Sequence, residues 1–306
     1  MDGREFVPGY LKLSGQAKLK QRVEQALEVL SECRVCAREC YTDRTKEAGG
    51  SCGVGRYAIV SSYAPHFGEE RPLVGRHGSG TIFFAHCNLG CVFCQNYDIS
   101  HHGQGEAVGP EVLARIMLAL QRMGCHNINL VTPSHVVPQV LEALPFAVAD
   151  GLCIPLVYNS GGYDSVETLE LLDGIIDIYM PDFKYFSSEV AARLSNAPDY
   201  PEVAKRAVRE MHRQVGDLQL DASGIARRGL LVRHLVLPED QAGSRDVANF
   251  IAEKISKNTY VNVMDQYRPC FMAHKIPSLT RRISAGEYQR AVKAFLQAGI
   301  TRLDAR

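Results

Sequence analysis

The chain has 306 residues, enough for one large core or one core with a small appendage. Lys and Arg number 34, as do Asp and Glu, and this zero formal net charge excludes the basic footprint of a general nucleic-acid binder. No apolar run reaches the length of a membrane span, and the start MDGREFVPGY lacks the basic-then-apolar pattern of a signal peptide, so no membrane role and a cytoplasmic location are expected.

In chain order, residues 16–31 place Val23, Leu27 and Leu30 on one helical face and predict an amphipathic lead-in helix. The Gly- and Cys-rich stretch 33–56 has little periodicity and few apolar residues, and it is expected to need a metal for its order. Tyr63, His66, Glu69 and Glu70 follow, in a segment that reads as a solvated linker or as a contributor to a pocket. From Thr81 the chain alternates. Apolar runs at 81–86, 128–132, 154–159, 176–180, 230–237 and 260–265 predict buried strands. Helical patterns separate them at 109–124, 135–151, 165–174, 200–216 and 244–256, and a last one covers 285–299. A turn at Asp221–Gly224 predicts a small hairpin before the fifth of these strands. The basic pairs Arg227-Arg228 and Arg281-Arg282 read as solvated surface.

Repeated strand–helix alternation implies a parallel sheet with crossover helices. Six units fall two short of a closed eight-unit barrel, so the expected fold is α/β, a partial (β/α)6 TIM-like barrel, with a small N-terminal metal-binding segment. Residues 1–75 are assigned to the N-terminal helix, Cys-rich segment and linker, and 76–306 to the barrel. Chemistry in such folds gathers at the carboxyl ends of the strands. Those ends here carry Cys87, Thr132, Asn159, Asp182, Arg233 with His234, and Asp265 with Gln266. His135 and His234 read as satisfied structural histidines.

Seven of the ten cysteines lie between Cys33 and Cys94, in two tight groups. In a reducing compartment, clustered cysteines read as metal ligands rather than disulfides. Cys87, Cys91 and Cys94 have the spacing Cys-x3-Cys-x2-Cys immediately after the first predicted strand. Three soft thiolates suit an iron–sulfur cluster, and three ligands for four irons leave one iron open. Cys33, Cys36, Cys40 and Cys52 have the spacing Cys-x2-Cys-x3-Cys-x11-Cys, which serves a closed zinc site or an auxiliary iron–sulfur cluster equally well. Cys125 and Cys153 read as small core residues, and Cys270 as a rim thiol.

The segment HCNLGCVFCQN, with Phe93 in the aromatic position before Cys94, resembles the signature of the radical S-adenosylmethionine (SAM) superfamily. Gln95-Asn96 and the whole GSGTIFFAHCNLGCVFCQN run resemble a branch of uncharacterised homologues of pyruvate formate-lyase activating enzyme that carry an N-terminal four-cysteine segment. The resemblance implies a [4Fe–4S] cluster on Cys87, Cys91 and Cys94 that reductively cleaves SAM to a 5′-deoxyadenosyl radical. It further implies hydrogen abstraction from an unknown substrate, a glycyl radical enzyme being the kind activases act on. A small molecule or a peptide is left open, and a low-potential flavodoxin or ferredoxin is the implied reductant. By the same resemblance Asp182-Phe183-Lys184 matches an Asp-x-Lys run that contacts SAM, and Arg233 an Arg on the fifth strand. Thr132 and Ser134 stand where the family carries a Gly-Gly-Glu-like run, Asn159, Ser160 and Gly161 line the ribose or substrate side, and Asp265, Gln266 and Tyr267 close the sixth strand, with Gln266 counted among the SAM contacts. The competing reading is an iron–sulfur electron-transfer or carrier protein without SAM chemistry. A further one is a zinc-stabilised binding module.

Overall fold

The structure, a computed structural model, describes residues 6–14 and 18–304. Residues 16 and 17 of the expected lead-in helix, and the first five residues of the chain, lie outside the described residues.

Two helices open the chain, α1 (Gly9–Ser14) and α2 (Lys18–Glu28). A 3₁₀ turn, Val29–Glu32, carries α2 into the cysteine-rich loop. Along α2, Leu19 and Ala26 are buried, and Leu30 follows them into the core. Val23 and Leu27 pack against that core half-buried, as the periodicity anticipates.

Strand β1 (Ala58–His66) comes next, then the single-turn helix α3 (Arg71–Val74) and strand β2 (Ser79–Phe84). After the Cys87–Cys94 loop lie α4 (Tyr97–Ser100), β3 (Glu106–Val108) and α5 (Pro110–Arg122). The repeat continues with β4 (Ile128–Val131), α6 (Val137–Ala149), β5 (Leu156–Ser160), α7 (Val166–Leu171) and β6 (Ile178–Pro181). Helices α8 (Ser188–Ser195) and α9 (Tyr200–Val215) precede the short β7 (Gln219–Leu220) and the long β8 (Ala226–Leu235). Helix α10 (Ser244–Lys254), β9 (Tyr260–Met264) and α11 (Ala285–Gln297) complete the set.

Six strands run parallel in the order β2-β4-β5-β6-β8-β9. The fold is therefore the expected partial (β/α)6 barrel. All four residues of β6 and all five of β5 are buried, the signature of a sheet covered on both faces. Local chemistry sets the helix starts. Ser165 and Ser187 accept backbone N–H bonds as N-caps, and Ser284 with Glu287 forms a capping box. The hairpin expected before the fifth parallel strand is β7 paired antiparallel with β8. Its turn is closed by the Gly224 N–H donating to the Asp221 carbonyl.

Three features depart from the sequence expectation. Strand β1 occupies what reads as a linker, and it pairs antiparallel with both β2 and β3, although it falls within residues 1–75. Helix α8 was not anticipated. Cys153 is exposed rather than a core residue, because its segment is a loop between α6 and β5 whose backbone N–H is held by the Gln121 side chain. Cys125 is buried, as expected. Of the basic pairs, Arg227 is bound to Asp221 and Arg281 to Glu287.

The ends of the parallel run are managed differently. On β9, Val261 pairs with Leu303, so the C-terminal tail covers that edge. Across the gap, Asn262 of β9 donates to Glu70, on the connection from β1, at 2.7 Å. At the start of β2, a Cβ on Gly80 would stand 2.7 Å from the Asn127 carbonyl and 3.1 Å from both the Cys125 and Leu120 Cβ atoms. None of these neighbours is the free end of a flexible side chain. Gly80→Ala is thus expected to lower stability by about 1–3 kcal/mol through overpacking, read as a drop in urea midpoint at unchanged slope. An unaltered midpoint would show that β2 and β4 are less tightly apposed.

Candidate active site

The carboxyl ends of the parallel strands border a cleft of about 350 Å³. Cys87, Cys91 and Cys94 line one side of it. Each thiol is free, and each meets a donor. The Leu89 N–H reaches the Cys87 Sγ at 3.4 Å, and the Ser195 hydroxyl donates to the Cys91 Sγ at 3.1 Å. The Ser100 hydroxyl lies 3.1 Å from the Cys94 Sγ. The loop is anchored from outside: the Val92 N–H bonds to the Leu194 carbonyl, and the Val92 carbonyl accepts from Met272. The residue before it, His86, has φ of 66°, in the left-handed region that L side chains rarely adopt.

The opposite side carries charge. Asp182, just beyond β6, accepts from Arg233 Nε at 2.8 Å and from Lys184 Nζ at 2.5 Å. Arg233 also donates to the Asn159 side-chain oxygen at 2.7 Å. Burial alone would raise the Asp182 pKa, but Arg233 and Lys184 outweigh it and hold the carboxyl below its ordinary value. For Lys184 and Arg233 burial alone would lower the pKa, and the Asp182 charge reverses that, so both are held above their usual values. Thr132, at the end of β4, has φ of 61°, an outlier for a β-branched residue. Its N–H is held by the Asn159 carbonyl at 2.8 Å. Such outliers cluster at functional sites.

The cleft therefore gathers Thr132, Asn159, Asp182, Lys184, Arg233 and Gln266 with the three thiols. Two other expected residues stand elsewhere. Phe93 is 5% exposed and packs edge-on against Tyr185 and Tyr267 behind the loop. Ser134 is buried beside Asp164 and Tyr158. Neither lines the cleft. Both histidines are structural, as expected: His234 bonds to the Phe183 carbonyl and Ser244, and His135 to the Ala85 carbonyl.

Residues 81–218 match the family model described as the radical SAM superfamily. The chain belongs to the radical SAM superfamily. It is 33% identical over 285 residues to the uncharacterized protein MJ0674 of Methanocaldococcus jannaschii, covering 90% of this chain and 77% of that one. A solved structure described as "Native anSMEcpe with bound AdoMet" is similar with a TM-score of 0.45 and 10% identity, over 72% of this chain and 61% of that one, so the chain spans less than two thirds of its length.

Membership of this superfamily implies a [4Fe–4S] cluster and SAM. The donor set fits. Three soft thiols open onto one cleft, no fourth cysteine lines it, and a polar wall faces them. Among the described residues no three His, Cys, Asp or Glu groups converge closely enough to share a single metal ion, here or elsewhere. No helix among them is long and apolar enough to cross a membrane.

The sequence did not single out Ser100 or Ser195, because a hydroxyl that supports a thiol from another helix, next to the loop or far along the chain, leaves no spacing signal. In the sequence Glu69 and Glu70 read either as part of a solvated linker or as contributors to a pocket. Both line the cleft, with Glu69 at 3.8 Å from Arg233. Glu70 is almost fully buried, and its Oε2 has no partner among the described residues. The run Ala58–Tyr63 just upstream gives no clean strand signal, because Ser61 and Ser62 interrupt its apolar residues.

His135 gives a test of the scaffold under this site. Burial depresses its pKa to about 3 from an ordinary 6.5, and its Nε2–H donates to the Ala85 carbonyl at the end of β2. Between those two values the unfolded chain binds the proton and the folded chain does not, so stability rises with pH there and is lost as pH falls from about 6.5 toward 3. His135→Gln is expected to flatten that slope in chemical denaturation across the window. A slope identical to the parent's would place the titration on other groups.

Proposed function

We propose that this chain is a radical SAM enzyme of the activating-enzyme type. In this reading Cys87, Cys91 and Cys94 hold the [4Fe–4S] cluster, and SAM lies against Asp182, Lys184, Arg233, Asn159, Thr132 and Gln266. When bound and reduced, the cluster supplies the electron that cleaves SAM to methionine and a 5′-deoxyadenosyl radical. A low-potential flavodoxin or ferredoxin is the electron source. The substrate is hydrogen-bearing and open to abstraction, with a glycine of a partner protein as the first candidate.

The observation that carries the reading is one cleft with three hydrogen-bonded thiols on one side and the Asp182–Arg233–Lys184 cluster on the other. An electron carrier has no use for such a wall. The residues divide the work. Ser100 and Ser195 direct their hydroxyls at the Cys94 and Cys91 sulfurs and hold those side chains toward the cleft. Asp182 fixes Lys184 and Arg233 so that their remaining N–H groups face the cleft as donors for a carboxylate or ribose. Glu69 and Glu70 bring carboxylates that β4 lacks at its end, offering acceptors for an ammonium group. The short loop from Cys87 to Cys94, pinned by Leu194 and Met272, keeps the thiols in place and water out.

The experiment is anaerobic reconstitution, reduction and incubation with SAM, with 5′-deoxyadenosine measured chromatographically. Production is expected in the parent and none in Cys91→Ala. Ser195→Ala, which removes the hydroxyl's hydrogen bonds to Cys91 and Tyr185, is expected to slow it about 10–100-fold. An iron-loaded, folded parent that forms no 5′-deoxyadenosine and shows no change in its electron paramagnetic resonance on adding SAM would sink the reading in favour of an electron carrier.

A further inference from the structure

A second thiol site stands beside the first. Cys33, Cys36, Cys40 and Cys52 line one small cavity, and all four are free. Two of the sulfurs are met by an N–H donor. Arg44 Nη1 reaches the Cys33 Sγ at 3.6 Å, and the Ser51 N–H reaches the Cys40 Sγ at 3.2 Å. A buried guanidinium and a backbone amide aimed at sulfur suit bound thiolates better than neutral thiols.

Charge gives the independent argument. Arg44 is 1% exposed, yet among the described residues it makes no ion pair with a carboxylate. Its guanidinium bonds only to the Cys33 sulfur and to the carbonyls of His135 and Gly55, and its Nε has no partner. Thr42 Oγ1, from another residue lining the cavity, is likewise buried without a partner. A buried cation facing only dipoles is costly unless an anion accompanies it. The cavity wall is also cut for close approach: Gly50 has φ of +69°, and a Cβ there would stand 3.0 Å from the Cys40 Sγ.

We propose that Cys33, Cys36, Cys40 and Cys52 hold a second metal centre as four thiolates, with Arg44 balancing its negative charge. The shared chemistry is that of a thiophilic metal: either an iron–sulfur cluster, or one zinc ion on which the four sulfurs, not converged on a single point in this structure, would close. Four ligands close such a centre to substrate, so it is a brace. Arg38, inside this cysteine loop, donates to the carbonyls of Asn88 and Leu89 between Cys87 and Cys91. It also donates to the carbonyl of Ser195, whose hydroxyl supports Cys91. Ordering the N-terminal loop thus holds the loop of the three-thiol site.

The inference does not rest on SAM chemistry, and its test separates the two. The full chain carrying Cys87→Ala, Cys91→Ala and Cys94→Ala is isolated anaerobically. Zinc, iron and sulfide are then counted alongside circular dichroism for folding. The expected result is about one zinc, or about four irons with matching sulfide, per folded chain. Either composition supports the centre and says which it is. Adding Cys40→Ser should abolish that metal. In the same background, Arg44→Gln is expected to weaken metal retention against a chelator about 10–100-fold, with Arg44→Lys partly restoring it. A folded triple variant that holds neither metal overturns the proposal, and an Arg44→Gln chain that retains metal like its parent overturns the charge balance. Should the triple variant not fold, Cys91→Ala alone gives the same readout, the second centre being the metal that Cys40→Ser removes.

Discussion

Asp182 is the point on which the barrel and its cleft both turn. It sits where β6 and β8 part, and its two oxygens engage Arg233 and Lys184 from different segments. Three charges in so enclosed a place are tolerable only together, because each one alone would suffer the full desolvation cost. Removing any one leaves another exposed to that cost. The backbone reinforces the arrangement: the Asp182 N–H bonds to the Ser160 carbonyl, and the Phe183 N–H to the Arg233 carbonyl. Strand pairing and charge pairing therefore fix the same positions, and the polar wall of the cleft comes with the fold.

The thiol side of the cleft is built by a different logic. The Cys87–Cys94 loop has little regular structure and is held through its peptide groups. Asn88 and Leu89 give carbonyls to Arg38, Cys91 gives one to His101, and Val92 is bonded on both sides to Leu194 and Met272. These anchors come from the N-terminal loop, from α4 and its flank, from α8, and from the segment after β9. A loop tied to four distant parts of the chain is ordered only once the whole domain has folded. That is a sensible constraint on thiols that would otherwise be free to oxidise.

Much of this was legible in the sequence, and what was not has identifiable causes. Six apolar runs predicted the six parallel strands because a strand buried on both faces must be apolar along its length. The polar residues that ended those runs proved to be cleft residues wherever their side chains continue toward the barrel axis, as at Asn159, Asp182 and Arg233. Ser134 broke the pattern: three residues past β4 the chain has already turned, and the hydroxyl is buried beside Asp164. Phe93 broke it differently, since an aromatic one residue from a thiol in a tight loop points to the other side. Strand β1 was missed because its outer half is solvated and carries Ser61, Ser62 and Pro65, so neither alternation nor a continuous apolar run appears. Helix α8 was missed because eight residues, with Val190 and Leu194 its only large apolar side chains, carry little periodic signal.

The two cysteine groups show how ligand number and surroundings divide labour between sites of similar composition. At Cys87, Cys91 and Cys94 the donors include two hydroxyls, the thiols open on a 350 Å³ cleft, and the nearest cations are already engaged by Asp182. Nothing there neutralises a fourth ligand, and the site faces outward to whatever enters. At Cys33, Cys36, Cys40 and Cys52 the cavity is small, and a buried arginine without a carboxylate looks into it. Its guanidinium reaches the Cys33 sulfur and otherwise only backbone carbonyls. Sequence spacing presents both groups as thiols in short loops. It is the position of the cations, one set paired and the other unpaired, that separates a site made to admit a reactant from one made to close.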